Sequence, residues 1–264
     1  MGVRFLLFAA SLALALALAS GAWGSHHKSR VPPGEVPNPC LGSEARKLRC
    51  PDLQIRRPYD LTVEHTRGGH TLLRATTAIK SRGRGPVEFH GKRIGPRAMR
   101  VTQRIYRVKR KPLDIRTKGR LNFFFIPGQG RYWKFTDAAR FQLWSLDRDG
   151  HLKRVVRTGP KQHYCFRDLV RTSASRRSPG HRIYPGCSQD PGRRRVTLGT
   201  SVGWSDIYPA SYYQQWIDVT GLRGCFDYVL TADPKNRILE SHEENNREGR
   251  IIRLPFGKSG RRCR

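Results

Sequence analysis

Short runs of β-forming residues, each ended by a turn signal, recur from Pro51 to Leu254 and restrict the fold more than any other feature. Asp60–Glu64 and Thr71–Ile79 flank the turn Arg67-Gly68-Gly69, and Ser81–Pro86 (SRGRGP) is a second turn. Phe141–Leu146 and Leu152–Val156 flank Asp149-Gly150, a dipeptide suited to a tight hairpin. Thr, Val, Ile and Tyr make Arg100–Val108 a strand despite its mixed spacing, and Leu121–Ile126 (LNFFFI) reads as a buried strand. Thr197–Ser201, Phe226–Ala232 and Arg250–Leu254 add further strands, and Tyr212–Val219 is expected to open with one helical turn. Leu169–Arg194, rich in Ser, Arg, Pro and Gly, reads as a long loop. Strands separated by turns about every 8–12 residues, with no internal repeat, predict an all-β sandwich with long loops.

The first 24 residues carry the pattern of an export signal. Arg4 supplies the charged start, Phe5–Ala19 the apolar run, and Ala22 and Gly24 the small residues before Ser25. A cut after Ala19 fits almost as well. The apolar run falls short of the about 20 residues that a membrane span needs, so a secreted chain is expected. The expected organisation is a mature N-terminal arm over 25–50, one domain over 51–255 and a basic tail over 256–264. All six cysteines lie beyond the signal, none in a CxxC pair, which favours disulfides over zinc. The expected pairs are Cys40–Cys50, Cys165–Cys187 and Cys225–Cys263, one of the roughly 15 pairings that six cysteines allow.

The net charge is +31, and 39 of the 51 basic residues are arginine. A field of that sign attracts polyanions, whether nucleic acid, an anionic wall polymer or anionic lipid. The basic residues are scattered, with denser runs at Arg104–Lys111 and Arg193–Arg195. No recognition motif accompanies them, so any nucleic-acid binding is expected to be nonspecific.

Gly203–Thr220 (GWSDIYPASYYQQWIDVT) and Ala232–Asn246 (ADPKNRILESHEENN) are not explained by composition. Together with Leu73–Lys92, Val101–Arg107 and Cys165-Phe166-Arg167-Asp168, in that chain order, they resemble the lysyl oxidase family, including its bacterial members. The resemblance extends from about Pro51 to Leu254. It implies a copper- and quinone-dependent amine oxidase, which converts primary amines of protein lysines to aldehydes with dioxygen and releases ammonia and hydrogen peroxide. The family's cofactor is lysine tyrosylquinone, made from one tyrosine and one lysine. Matched residue by residue, these are Tyr208 and Lys161, and Asp206 stands where it could serve as a base.

The copper ligands of the family, His-x-His-aromatic-His, are where this chain departs. Trp133 occupies the aromatic position in Gly130–Phe135 (GRYWKF), and the histidine positions hold Gly130, Tyr132 and Lys134. No histidine lies between His90 and His151, so a small slip in alignment restores none. Both copper and the quinone are therefore expected to be absent, with Tyr208 remaining tyrosine. His163, two residues from Lys161, reads as a solvated loop histidine. Cleavage after Gly24 would also expose Ser25-His26-His27, whose amine, backbone nitrogens and His27 imidazole can bind Cu(II) or Ni(II) in a plane. The expectation is a secreted lysyl-oxidase-like protein that is catalytically degenerate and binds anionic polymers; the alternative is an active amine oxidase.

Overall fold

A computed structural model describes residues 36–256 and Cys263. The expected signal, His27 and most of the basic tail lie outside the described residues. The strands, in chain order, are β1 Leu48–Arg49, β2 Leu53–His65, β3 Thr71–Ser81, β4 Val87–Gly95, β5 Ala98–Arg107, β6 Arg110–Ile126, β7 Gly130–Phe135 and β8 Ala139–Leu146. They continue as β9 Leu152–Thr158, β10 Val170–Arg171, β11 Arg195–Thr200, β12 Trp204–Tyr208, β13 Trp216–Asp218, β14 Gly224–Ala232 and β15 Arg247–Leu254. Helix among the described residues is confined to two 3-10 turns, Pro39–Leu41 and Ser43–Lys47. None is long and apolar enough to cross a membrane. The chain is all-β, as its turn spacing predicts.

The strands form three antiparallel sheets. One has the order β11-β4-β5-β6-β7 with β1 added along β5; the second is β10-β12-β3-β13 with β2 along β3; the third is β15-β14-β8-β9. Period-two alternation decides which face is buried. In β5, Met99, Val101, Gln103 and Ile105 point inward while Arg100, Thr102 and Arg104 do not. One apolar core joins the inner faces of all three sheets, with Leu73 from β3, Phe89 from β4, Phe135 from β7, Phe141 from β8, Tyr208 from β12 and Tyr228 from β14.

Residues 36–50 are tied to this body. Cys40, Leu48 and Cys50 pack with Ile105 and Leu239 in a second apolar cluster. The SRGRGP turn closes over them, with the Arg84 and Gly85 amides donating to the Cys50 carbonyl. A Cβ at Gly85 would lie only 2.1 Å from the Arg49 carbonyl oxygen, so the close approach requires glycine. The three disulfides are Cys40–Cys50, Cys165–Cys187 and Cys225–Cys263, the expected pairs.

Two local expectations need correction. Leu121–Ile126 ends the long β6 rather than forming a buried strand. Leu121 and Ile126 are buried, but Phe125, on the same face as Leu121 and paired with Arg131 near the tip of the β6–β7 hairpin, is 60% exposed. Tyr212–Val219 contains hydrogen-bonded turns before β13 and no helical turn. Gln214 sits at φ 65°, in the left-handed region, and breaks any helical start.

Candidate active site

β12 places Asp206 and Tyr208 two residues apart, hence on one face, and both are fully buried. β12 is held along β3, with Asp206 opposite Ile79 and Tyr208 opposite Thr77. The segment 159–168 lies across this face. Gly159 makes that course possible, since a Cβ there would meet the Trp216 carbonyl oxygen at 2.5 Å. Tyr164 then exchanges two backbone hydrogen bonds with Phe135 of β7. The Cys165 amide donates to the Tyr208 hydroxyl at 3.1 Å, and the Phe166 amide to Asp206 Oδ2 at 3.1 Å. Phe166 has φ 49°, a costly conformation for a bulky residue, held here by these two bonds and the Cys165–Cys187 disulfide.

Lys161 is brought to Tyr208. Its Nζ lies 4.2 Å from the Tyr208 ring centre, 4.6 Å from that of Tyr212 and 5.0 Å from that of Tyr164. The side chain is buried, contrary to the exposure usual for a loop lysine. Lys134 joins from β7. It too is buried, donates to the Tyr212 hydroxyl at 3.1 Å, and sits 5.5 Å from the Tyr208 ring centre. Gln215 closes the floor, with Nε2 donating to the Thr77 hydroxyl and to the Tyr208 carbonyl, both at 2.8 Å.

Burial dominates the electrostatics. A tyrosine face attracts an ammonium by about 1–2 kcal/mol, whereas removing the ion from water costs several. The Lys161 amine is accordingly driven well below its ordinary pKa, first by burial and then by the charge of Lys134. Lys134 is lowered to about 8 by burial, with Asp206 opposing the shift. Asp206 is raised to about 6 by burial, although Arg167 and both lysines pull it down. Arg167 Nε stands 3.6 Å from Asp206 Oδ1, an ion pair without a hydrogen bond. Tyr208 is raised well above the ordinary phenol value by burial and by Asp206, so its hydroxyl stays protonated.

The three positions that the resemblance matches to the family's copper ligands, Gly130, Tyr132 and Lys134, offer no imidazole. Gly130 has no side chain and φ 106°; the Tyr132 hydroxyl donates to the Gln129 carbonyl; Lys134 fills the space beside Tyr208 with an amine. His163 is half-buried rather than a freely solvated loop residue: its ring stacks on Phe124 at 3.8 Å, with Nδ1 buried and unpartnered. Burial and the neighbouring Lys161 lower its pKa to about 4. One imidazole beside two lysines is not a Cu(II) donor set. Among the described residues, the clusters of three His, Cys, Asp or Glu are Asp147/Asp149/His151 and Asp233/Glu240/Glu243, and neither includes a residue of the Tyr208 cluster. The residues at this site do not fit copper.

Sequence reasoning gave Tyr164, Tyr212, Gln215 and Arg167 no role, although Tyr212 and Gln215 lie within Gly203–Thr220, Arg167 lies within Cys165–Asp168 and Tyr164 directly precedes it. Glu240 and Glu243 are acidic neighbours of Tyr208 in neither contact nor charge. Glu240 accepts from Leu53 and Asn246, and Glu243 from Asn38. No curated protein matches the chain. A family description does: the arrangement of β12, the 159–168 segment and β7 lies within residues 91–253, well over half of the sequence, which match the lysyl oxidase family, and the chain belongs to that family.

Proposed function

We propose that this is a secreted lysyl-oxidase-like protein whose amine-oxidase centre is catalytically degenerate, and whose basic surface binds anionic polymers. The observation that carries the first part is Lys134. By the family resemblance it falls at a metal-ligand position; it is 1% exposed and donates to the Tyr212 hydroxyl beside Tyr208. A lysine amine within an aromatic cluster brings neither an imidazole donor for Cu(II) nor redox chemistry of its own. The family is generally dependent on copper and lysine tyrosylquinone. In this chain burial raises the pKa of the Tyr208 hydroxyl and lowers that of the Lys161 amine, and Asp206 accepts from the Phe166 amide. Three disulfides fit an oxidising compartment, which supports secretion. The 51 basic against 20 acidic residues support polyanion binding.

The alternative is an amine oxidase acting on primary amines of protein lysines with a rearranged metal site. The 4.2 Å approach of Lys161 to Tyr208 favours it, because the two residue types that make the family cofactor are in contact. Elemental analysis and the visible spectrum of protein purified from copper-supplemented medium separate the two. Sub-stoichiometric copper and no quinone band are expected; one copper per chain with a quinone band would establish the alternative.

A further inference from the structure

Strand register sets four basic residues side by side on the outer face of the six-stranded sheet. Arg195 of β11 stands opposite Lys92 of β4, Lys92 opposite Arg100 of β5, and Arg100 opposite Arg120 of β6. At a strand spacing of about 4.8 Å the row spans roughly 14 Å. Their inward neighbours Val196, Met99, Val101 and Leu121 belong to the core, which fixes the direction of the row. Arg116 and Lys118 extend it along β6, alternating with buried Thr117 and Gly119. Beyond β11, Arg193 and Arg195 line an open cleft of about 530 Å³.

None of these six cations of the sheet face is within ion-pair distance of a carboxylate among the described residues, whereas Arg104, farther along the same face, holds Asp114 at 2.7 Å. Like charges directly opposite on neighbouring strands destabilise a sheet. An anion laid along the row would reverse that term. The outer face of the four-stranded sheet has no such row, because Asp227 stands there between Trp144 and Ile251.

Deepening the reading of the chain as a polyanion binder, we propose that this face binds a linear, base-free polymer of phosphate groups. Arginine forks, four of the six cations, match phosphate oxygens in pairs. The adjoining row, Thr197, His90, Thr102 and Arg116, contains no Phe, Tyr or Trp on which nucleobases could stack. Among the described residues no α-helix is present to enter a duplex groove.

The test is titration of the whole protein with inorganic polyphosphate across a salt series. Changing Lys92, Arg100 and Arg120 together to serine should weaken binding at least tenfold and reduce the log–log salt slope by about two units. Changing Lys153, Arg154 and Arg157 of β9 to serine should weaken it less than threefold. Should the first triple variant fail to fold, Arg116→Ser with Lys118→Ser tests the same face. Equal losses on both sheets would overturn the assignment to this face while leaving polyanion binding standing. No binding by the wild type at about 0.15 M salt would overturn both. Tighter binding of single-stranded DNA of equal charge, or of anionic lipid vesicles, would overturn the choice of ligand.

Discussion

The amine of Lys161 lies 4.2 Å from the centre of the Tyr208 ring, although the two residues are 47 positions apart and belong to a loop and a strand. Gly159 lets the loop pass beneath β13, and backbone bonds to Phe135 and Tyr208 hold it there. The contact is set by backbone geometry, so it persists whether or not the pair reacts.

Lys134→Met should stabilise the protein. The substitution removes a buried amine whose pKa is lowered to about 8, at the loss of one bond to Tyr212. Replacing buried charge with an apolar side chain of similar volume is commonly stabilising, here by about 1–3 kcal/mol near neutral pH. Between pH 8 and 10.5 the unfolded chain holds the Lys134 proton that the folded chain has lost, so wild-type stability rises with pH there. The gap between variant and wild type should close across that window in urea melts; a constant gap would contradict the burial account.

Tyr208→Phe should cost about 1–3 kcal/mol, because the buried Cys165 amide loses its acceptor. Chemical denaturation measures this directly. Unchanged stability would mean that the amide finds another partner.

Gly159→Ala should destabilise by more than about 2 kcal/mol, since the new Cβ would sit 2.5 Å from the Trp216 carbonyl oxygen and 3.2 Å from Ile217. Near-ultraviolet circular dichroism should register the displacement of the Tyr164–Tyr208–Tyr212 cluster. An unaltered spectrum would separate Gly159 from the placement of Lys161.

A second pH effect comes from Asp233 and Glu243, raised by burial to about 6 and about 7. Folded pKa values above the unfolded ones mean that the folded chain holds more protons between about pH 4 and 7. Their contribution is therefore full below that range and is lost as pH rises through it. Glu243→Gln should flatten the fall in melting temperature between pH 5 and 8; an unchanged profile would remove Glu243 from it.

The strands and turns were legible because β-branched runs and glycine turns act locally. The disulfide pairs followed chain order and were correctly anticipated. The environments of Lys161 and His163 were not legible. Nothing near either residue in sequence announces that Phe124, Tyr208 and Tyr212 will cover it, because that burial is produced by pairing across strands. Lys134 stood out because the family resemblance implies a histidine at its position, but its bond to Tyr212 depends on a turn 78 residues away.

Hydrogen peroxide release tests the central claim most directly. Purified protein, incubated aerobically with Cu(II) and then supplied with a primary amine, should release no peroxide above that of its Tyr208→Phe variant. Amine-dependent release that disappears in Tyr208→Phe would contradict the degenerate reading and make Lys161 and Tyr208 a working pair.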